Sequence, residues 1–362
     1  MSYIVPSTYN LITNEKKMNQ HGGGFKKKGL DFSVNINPMA MSPQVHQALI
    51  EKLTDIHQYP EIIGTSAIQT LSEYYNMPKS HIILGNGAIE LIYLYARALK
   101  PNKVIVISPT FNEYERAFYT VGSKVYHYVL EKNEQFQINV GAFIKEIKKI
   151  TPECIVLCNP NNPTGQLLNN EAIRKISEAI SQWKGFLMLD ESFIELSTGK
   201  SSRELLLENV VCIQSLTKYY GVPGLRLGVA FGSSEFIDKM YRYKEPWTMN
   251  ALALSAIKPL LNETNHQSIQ DWLNREKDFL YAALNKMKGI KAFWSSTNFL
   301  LIHYHKAQQL MEALKMRQPP IYLRKCTDFI GLDETYIRIA VKSRADNDML
   351  IQEIDNCLAK GD

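Results

Sequence analysis

The chain has 362 residues, of which 45% are hydrophobic and 21% are charged, and its formal net charge is +5. This composition is typical of a folded globular protein, and so mild a charge argues against a nucleic-acid-binding chain. No apolar run approaches the ~18 residues that a membrane-spanning helix needs, and the first residues lack a basic-then-apolar leader pattern, so we predict a cytoplasmic protein without membrane segments.

The first part of the chain predicts alternating helices and strands. Residues 1–20 show no strong periodicity and are interpreted as an arm, and Ser42-Pro43 predicts a helix start, because serine caps a helix and proline suits its first turn. Another helix is predicted over 65–75. From residue 81 to residue 231, apolar strands alternate with amphipathic helices. The strands are predicted at 81–84, 103–108, 124–130, 154–158, 186–189, 210–213 and 225–231, and the helices at 88–99, 112–121, 140–150 and 170–183.

This alternation predicts an α/β fold with a mostly parallel sheet between two helical layers. Several strands are apolar throughout, as expected when both faces of a sheet are covered. After residue 231 the pattern changes to long helices and short strands, which predicts a smaller α+β domain. The helices are predicted at 234–243, 251–261, 266–287 and 345–358, and the strands at 299–303, 321–323 and 336–340. We therefore predict an N-terminal arm and active-site segment over 1–40, a large domain over 41–255 and a small domain over 256–362.

The five cysteines show no paired framework. Cys154 and Cys158 lie on an apolar strand pattern at a spacing that does not match a C-x-x-C motif, so we predict buried free thiols and no metal site.

Several strand ends carry residues suited to a ligand, because ligands of parallel sheets bind beyond the carboxyl ends of the strands. Gly85-Asn86-Gly87 opens a helix whose free N–H groups suit a phosphate, although the same residues form common turns. Phe111 follows the next strand and can stack on a flat ring, or it can be a rim aromatic. The loop 159–165 offers amides to a phenolic oxygen. Asp190 ends an apolar strand, where it either caps a helix or pairs with a group such as a protonated pyridine nitrogen.

Lys218 follows another strand, between the hydroxyls of Ser215 and Thr217, with Arg226 eight residues later. Alone, this is compatible with a solvated lysine at a strand end. Hydroxyls and a guanidinium around one amine also suit a phosphate beside an aldehyde, which is what pyridoxal 5'-phosphate presents.

Together these residues resemble the fold-type I aminotransferase superfamily over nearly the whole chain. The resemblance implies a three-layer αβα large domain, a smaller α+β domain, bound pyridoxal phosphate and a homodimer. It implies that Lys218 carries the cofactor as a Schiff base, that Asp190 pairs with its ring nitrogen, and that Asn162 binds its ring oxygen. The other implied contacts are Phe111 on the ring, Gly87, Ala88, Ile89, Ser215, Thr217 and Arg226 on the phosphate, and Tyr59 on the phosphate bound by the partner subunit.

Within the superfamily the chain is similar to the histidinol-phosphate aminotransferase branch and, inside it, to the L-threonine-O-3-phosphate decarboxylases of cobalamin biosynthesis. The second likeness lies in His21-Gly22-Gly23 with the segment 31–38, and in the segment 215–228. It implies that His21 lies near the substrate phosphate. Arg324 matches a phosphate-binding arginine of both groups, whereas Arg338, together with Asn35, is implied to hold the substrate carboxylate.

Two positions depart from these patterns. Phe193 stands where transaminases usually have tyrosine, and Gly24 stands where the decarboxylases continue with asparagine. Three functions stay open: a carboxy-lyase acting on L-threonine O-3-phosphate or L-serine O-phosphate, a histidinol-phosphate aminotransferase, and a pyridoxal-phosphate-dependent regulatory or binding module. The 20-residue arm is too short for the DNA-binding domain that such regulators carry.

Overall fold

A computed structural model describes residues 2–8, 22–23, 28–39, 41–263 and 265–359. Its largest sheet has eight strands in the order β1-β5-β4-β6-β7-β8-β9-β3. The strands up to β9 are β1 (Tyr3–Pro6), β2 (Leu30–Asp31), β3 (Ile82–Asn86), β4 (Lys103–Ser108), β5 (Lys124–Val129), β6 (Cys154–Cys158), β7 (Phe186–Asp190), β8 (Val210–Ser215) and β9 (Leu227–Phe231). The strands from β5 to β8 in this order pair in parallel, and β1, β9 and β3 pair antiparallel, which confirms a mostly parallel sheet.

Both faces of this sheet are buried, as the apolar strands predict. Along β4, Val104 and Val106 belong to one hydrophobic cluster, while Ile105 and Ile107 belong to the other. Because successive side chains of a strand point to opposite faces, the two clusters are the two halves of a core that the sheet divides. Helices cover each face and complete three layers. Among the described residues up to 261, the helices are Pro43–Leu53, Thr65–Tyr75, Ala88–Leu99, Glu113–Tyr119, Val140–Ile150, Asn170–Ser181, Leu216–Tyr219, Ser234–Tyr241 and Ala251–Leu261.

Side-chain caps fix several of the helix starts. Ser42 accepts a hydrogen bond from the backbone N–H of Val45, with Pro43 at the first helical position, as the sequence predicts. Asn139 and Asn169 cap two of the helices between the central strands in the same way. These caps place the helix boundaries close to the predicted ones.

The C-terminal part builds a smaller body. Its helices are His266–Lys286, Ala307–Lys315 and Arg344–Ala359, and its strands are β10 (Lys291–Ala292), β11 (Phe299–His303), β12 (Ile321–Tyr322), β13 (Arg324–Lys325) and β14 (Tyr336–Ala340). Four of the strands form an antiparallel sheet in the order β10-β11-β14-β13. The fifth, β12, pairs in parallel with β2, so the segment around residue 30 packs with residues near 321.

Four short strands were not predicted. β1 has four residues and β2, β10 and β13 have two each, too few to show a period. β1 is an edge strand that ends at Pro6, and an edge tolerates a residue that cannot donate to the ladder. The predicted strand 225–231 begins later, at Leu227, because Pro223–Leu225 forms a 3-10 turn and Arg226 has a φ of 59°.

Four of the five cysteines are buried and all are free, which confirms most of the predicted thiols, whereas Cys357 is only partly buried. No helix within the described ranges is long and apolar enough to cross a membrane.

Candidate active site

A cavity of about 330 Å³ lies at the carboxyl ends of the parallel strands, between the two bodies. It brings together most of the predicted site residues: Asn35, Ala88, Ile89, Phe111, Asn162, Asp190, Ser215, Thr217, Lys218, Arg226, Arg324 and Arg338. A larger neighbouring cavity of about 450 Å³ shares Ser192 and Ser215 with it but lacks the lysine and the aspartate. The smaller cavity is therefore the candidate active site.

Lys218 lies in the short helix that follows β8 and lines this cavity. Burial lowers its pKa to about 8, with Arg338 and Arg226 acting in the same direction and Asp190 opposing them. A lysine with so low a pKa is partly neutral near physiological pH, and the neutral amine is the form that attacks a carbonyl carbon.

Asp190 ends β7 and is 4% exposed. Its two oxygens accept hydrogen bonds from different donors, the Tyr114 hydroxyl at 2.7 Å and the Ser192 backbone N–H at 2.8 Å. Burial raises the pKa of Asp190, and these hydrogen bonds oppose the increase. Tyr114 was not predicted as a site residue. The available signal was its position three residues after Phe111, just inside the helix that follows, where its ring contacts that of Phe111.

The predicted phosphate site is a cradle formed where β3 and β9 meet the helix Ala88–Leu99. Gly87 has a φ of 78°, and its N–H donates to the Arg226 carbonyl at 3.0 Å. A Cβ at Gly87 would lie 2.3 Å from Nη2 of Arg226, so any other residue there would displace the guanidinium from its present position. The Ser215 and Thr217 hydroxyls are 2.8 Å apart. A helix N-terminus, two hydroxyls and a guanidinium form an anion site.

Arg338 of β14 reaches across to the large sheet. Its guanidinium donates to Oδ1 of Asn162 and, at 2.7 Å, to the Ser33 carbonyl. Because Arg338 occupies the amide oxygen of Asn162, the NH₂ group of Asn162 is the one suited to a ligand oxygen. Burial lowers the pKa of Arg338 to about 10, and the charge of Arg324 acts in the same direction.

Asn35 is 3% exposed and lines the cavity, and neither its Oδ1 nor its Nδ2 has a hydrogen-bond partner among the described residues. The same holds for Nε of Arg338. Buried polar groups are normally satisfied, so these atoms mark positions that a polar ligand can complete.

Arg324 forms a buried ion pair that the sequence did not reveal. Its Nη2 lies 2.6 Å from Oδ2 of Asp328, and both side chains are less than 10% exposed. A neighbouring aspartate gives no motif in the sequence, because any exposed acid would look the same.

The loop after β6 divides its three asparagines between structure and ligand. Asn159 exchanges hydrogen bonds with the backbone of Leu168, and Asn161 donates to the Pro109 carbonyl and to the Thr164 hydroxyl. Asn162 is the one of the three that lines the cavity.

Comparison with known proteins agrees with this arrangement. Residues 27–354 match the family described as aminotransferase class I and II. The chain belongs to this family. It has the fold-type I architecture of its structural neighbours, with a three-layer large part and a smaller α+β part.

Relatives within this family carry two different names. A threonine-phosphate decarboxylase from Salmonella typhimurium is 31% identical over 93% of this chain and 96% of its own length. The structure of histidinol-phosphate aminotransferase from Clostridium acetobutylicum matches with a TM-score of 0.84 and 27% identity, over 91% of this chain and 99% of the other. The structure of L-threonine-O-3-phosphate decarboxylase from Porphyromonas gingivalis gives 0.82 and 26%, with the same coverage.

Tyr59, predicted to contact the cofactor phosphate of the partner subunit, does not line the cavity of this chain. Tyr59 is 86% exposed, and its ring centroid lies 5.4 Å from that of Trp247. Its contact with the partner subunit's cofactor stays a prediction. His21 lies outside the described residues. The adjacent Gly22 lines the cavity, and the N–H of Gly23 donates to the Ser33 hydroxyl at 2.9 Å.

Phe193 lines the same cavity and is 6% exposed, with its ring edge-to-face on Phe299 at 5.1 Å. It presents an apolar edge where the transaminase pattern has a phenol, so it supplies no hydrogen bond to the ligand.

Proposed function

We propose that this cavity binds pyridoxal 5'-phosphate and that the chain is a carboxy-lyase acting on L-threonine O-3-phosphate or L-serine O-phosphate. The product is the corresponding amino-alcohol O-phosphate, as required in cobalamin biosynthesis. The protein acts as a cytoplasmic homodimer on this proposal.

The residues present fit the cofactor. The cradle around Gly87 and Arg226 suits its phosphate. Glycine at position 87 keeps this cradle open, because a Cβ there would lie against the guanidinium of Arg226. Asp190 is a buried carboxylate that accepts hydrogen bonds from Tyr114 and Ser192, and such a group suits a protonated ring nitrogen. Lys218 is an amine with a lowered pKa, as an aldehyde partner requires.

When bound, the cofactor supplies an electron sink for a carbanion at the substrate Cα. The chain's own residues decide which Cα bond breaks. Arg338 and Asn35 lie where they can hold the substrate carboxylate, and the orphaned Nε of Arg338 and amide of Asn35 provide the donors. A carboxylate gripped by these residues would be the group that leaves Cα, as CO₂. Lys218, which lines the same cavity, would return a proton to Cα.

The observation that carries the substrate assignment is a third guanidinium in the cavity. Arg226 is matched to the cofactor phosphate and Arg338 to a carboxylate, so Arg324, which lines the cavity while paired with Asp328, is the guanidinium proposed for a further anionic group. A phosphate ester on the substrate supplies that anion. The His21-Gly22-Gly23 segment supports the decarboxylase assignment, because its Gly22 lines the cavity.

The second candidate is histidinol-phosphate aminotransferase. Arg324 suits that phosphorylated substrate equally well, and the similar structure from Clostridium acetobutylicum carries this name. In a transaminase the base removes the α-proton, and a 2-oxo acid must regenerate the cofactor. Phe193 favours the first candidate, because it lacks the phenol of the transaminase pattern.

The test is to incubate the holoprotein separately with L-threonine O-3-phosphate, L-serine O-phosphate and histidinol phosphate. We expect CO₂ release from one of the first two without any 2-oxo acid, and none in Lys218→Ala. Turnover only with histidinol phosphate and 2-oxoglutarate would establish the aminotransferase instead. Binding of pyridoxal phosphate with no turnover of any substrate would favour the regulatory module.

The dimer can be tested by complementation. Tyr59 and Trp247, whose rings contact each other, are 86% and 46% exposed and form an apolar surface that suits a second copy of the chain. If Tyr59 serves the partner's site, mixing the weakly active Tyr59→Ala with inactive Lys218→Ala restores activity in hybrid dimers. A mixture no more active than Tyr59→Ala alone would assign Tyr59 to its own subunit or to no site.

A further inference from the structure

We infer that Tyr114 is the positioning residue for Asp190, holding its carboxylate ionised and aimed at the ring nitrogen of the cofactor. This inference rests on the proposed binding of pyridoxal phosphate and assigns a role to a residue that no sequence motif reveals.

The geometry divides the carboxylate between two donors. Tyr114 is 1% exposed, on the buried face of the helix Glu113–Tyr119, and its hydroxyl donates to Oδ2 of Asp190 at 2.7 Å. Oδ1 accepts from the backbone N–H of Ser192 at 2.8 Å. An ionised carboxylate only accepts hydrogen bonds, so a donor on each oxygen favours the charged form and fixes the plane of the group.

The Tyr114 hydroxyl can be removed by a substitution that keeps the ring. The Ser192 N–H belongs to the backbone that leaves β7 and is present whatever the side chain, while the Ser192 side chain also lowers the pKa of Asp190 and stays in place in a Tyr114 variant. Loss of the Tyr114 hydroxyl would leave Oδ2 without its donor in a buried site. Burial then favours the neutral acid, and a neutral acid cannot hold a proton on the ring nitrogen as a charge partner.

The same side chain also braces the predicted stacking ring. Phe111 and Tyr114 meet edge-to-face, with centroids 5.6 Å apart and an interplanar angle of 83°. One residue thus contacts the group expected on the face of the cofactor ring and the group expected at its nitrogen. A test must therefore separate the loss of ring packing against Phe111 from the loss of the hydrogen bond to Asp190.

Tyr114→Phe makes this separation, because it keeps the ring against Phe111 and removes only the hydroxyl. Tyr95→Phe is the matched control. Tyr95 is also fully buried, its hydroxyl lies 3.8 Å from the Cys154 sulfur, and it does not line the cavity. Thermal unfolding of both apoproteins checks that each variant folds.

The readout is the dissociation constant of the cofactor, measured by titrating the apoprotein with pyridoxal phosphate and with an analogue whose ring nitrogen is replaced by carbon. A hydrogen bond to a charged group corresponds to about tenfold or more in affinity. We expect Tyr114→Phe to raise the dissociation constant of pyridoxal phosphate by about tenfold and that of the carbon analogue by less than about twofold. Tyr95→Phe should change neither. In the holoprotein, the ring nitrogen of Tyr114→Phe should lose its proton at lower pH, seen in the absorbance of the bound cofactor.

Equal weakening of both cofactors would overturn the inference, because it would show that Tyr114 acts by packing alone. Unchanged affinity for pyridoxal phosphate would overturn it as well. A double-mutant cycle with Asp190→Asn gives an independent check: the effect of Tyr114→Phe should largely vanish in that background, and full additivity would refute the coupling. A wild-type chain that binds no pyridoxal phosphate would overturn the proposed function itself, an outcome distinct from the others.

Discussion

The amine of Lys218 should titrate far below an ordinary lysine in the apoprotein. Its pKa is lowered from 10.5 to about 8. At 1.36 kcal/mol per pKa unit, this difference corresponds to roughly 3 kcal/mol against the charged form. At pH 7.4 about one fifth of the amines are then neutral, against less than about one thousandth for an unperturbed lysine, a gain of roughly 200-fold in reactive amine.

Competitive labelling of the apoprotein with acetic anhydride over a pH series, read peptide by peptide in a mass spectrometer, measures this pKa. We expect the labelling rate of Lys218 to level off near pH 8. Lys149, which is 68% exposed, serves as the internal reference within the same sample. Arg338→Leu should move the inflection of Lys218 upward, because it removes the neighbouring cation that disfavours the ammonium form.

The same shift affects stability. The folded state binds fewer protons at Lys218 than the unfolded state between pH 8 and 10.5, so apoprotein stability from this group increases as the pH rises through that window. Lys218→Met should lack this rise in a series of denaturant titrations. A labelling inflection of Lys218 near 10.5, together with identical pH profiles of stability in both proteins, would refute the burial of this amine.

Three further predictions concern the anion contacts. Gly87→Ala should weaken pyridoxal phosphate strongly in apoprotein titrations, because its Cβ would lie 2.3 Å from a guanidinium nitrogen, whereas Gly122→Ala at a φ of 83°, with nothing within 4 Å, should change stability but not affinity. Arg338→Lys should raise KM for the amino-acid substrate by roughly tenfold or more, since an ammonium cannot grip a carboxylate with two bonds; an unchanged KM would place the carboxylate elsewhere. Asp328→Asn should lower KM for a phosphorylated substrate by freeing Arg324 while lowering Tm, because one member of a buried pair is lost; a raised KM would show that Asp328 orients Arg324 for the phosphate.

The sequence predicted the large sheet and most of the cavity because the signals were local. The apolar runs of β4 and β6 gave strands with the predicted bounds, and the polar residues after each strand could be placed at one edge by the rules of parallel sheets. Arg338 and Arg324 required the family resemblance, because their strands lie in another sheet.

The parts that could not be predicted depend on pairing across long sequence distances. Tyr114 and Asp328 look like any helix tyrosine or loop acid until the fold brings them to Asp190 and Arg324. The two-residue strand β2 exists only through its pairing with β12, and no window of residues around 30 contains that information.

That pairing has a consequence for synthesis on the ribosome. Leu30 lies opposite Ile321, and Arg338 donates to the carbonyl of Ser33, 305 positions earlier. The N-terminal segment therefore emerges first, but its pairing partners around residues 321 and 338 are synthesised last. The parallel sheet from β4 to β8 can form before that. A growing chain should therefore form the anion site at Gly87 and Arg226 well before the carboxylate-binding Arg338 is in place. Ribosome-bound chains halted before residue 321 should then capture the cofactor more readily than the amino acid.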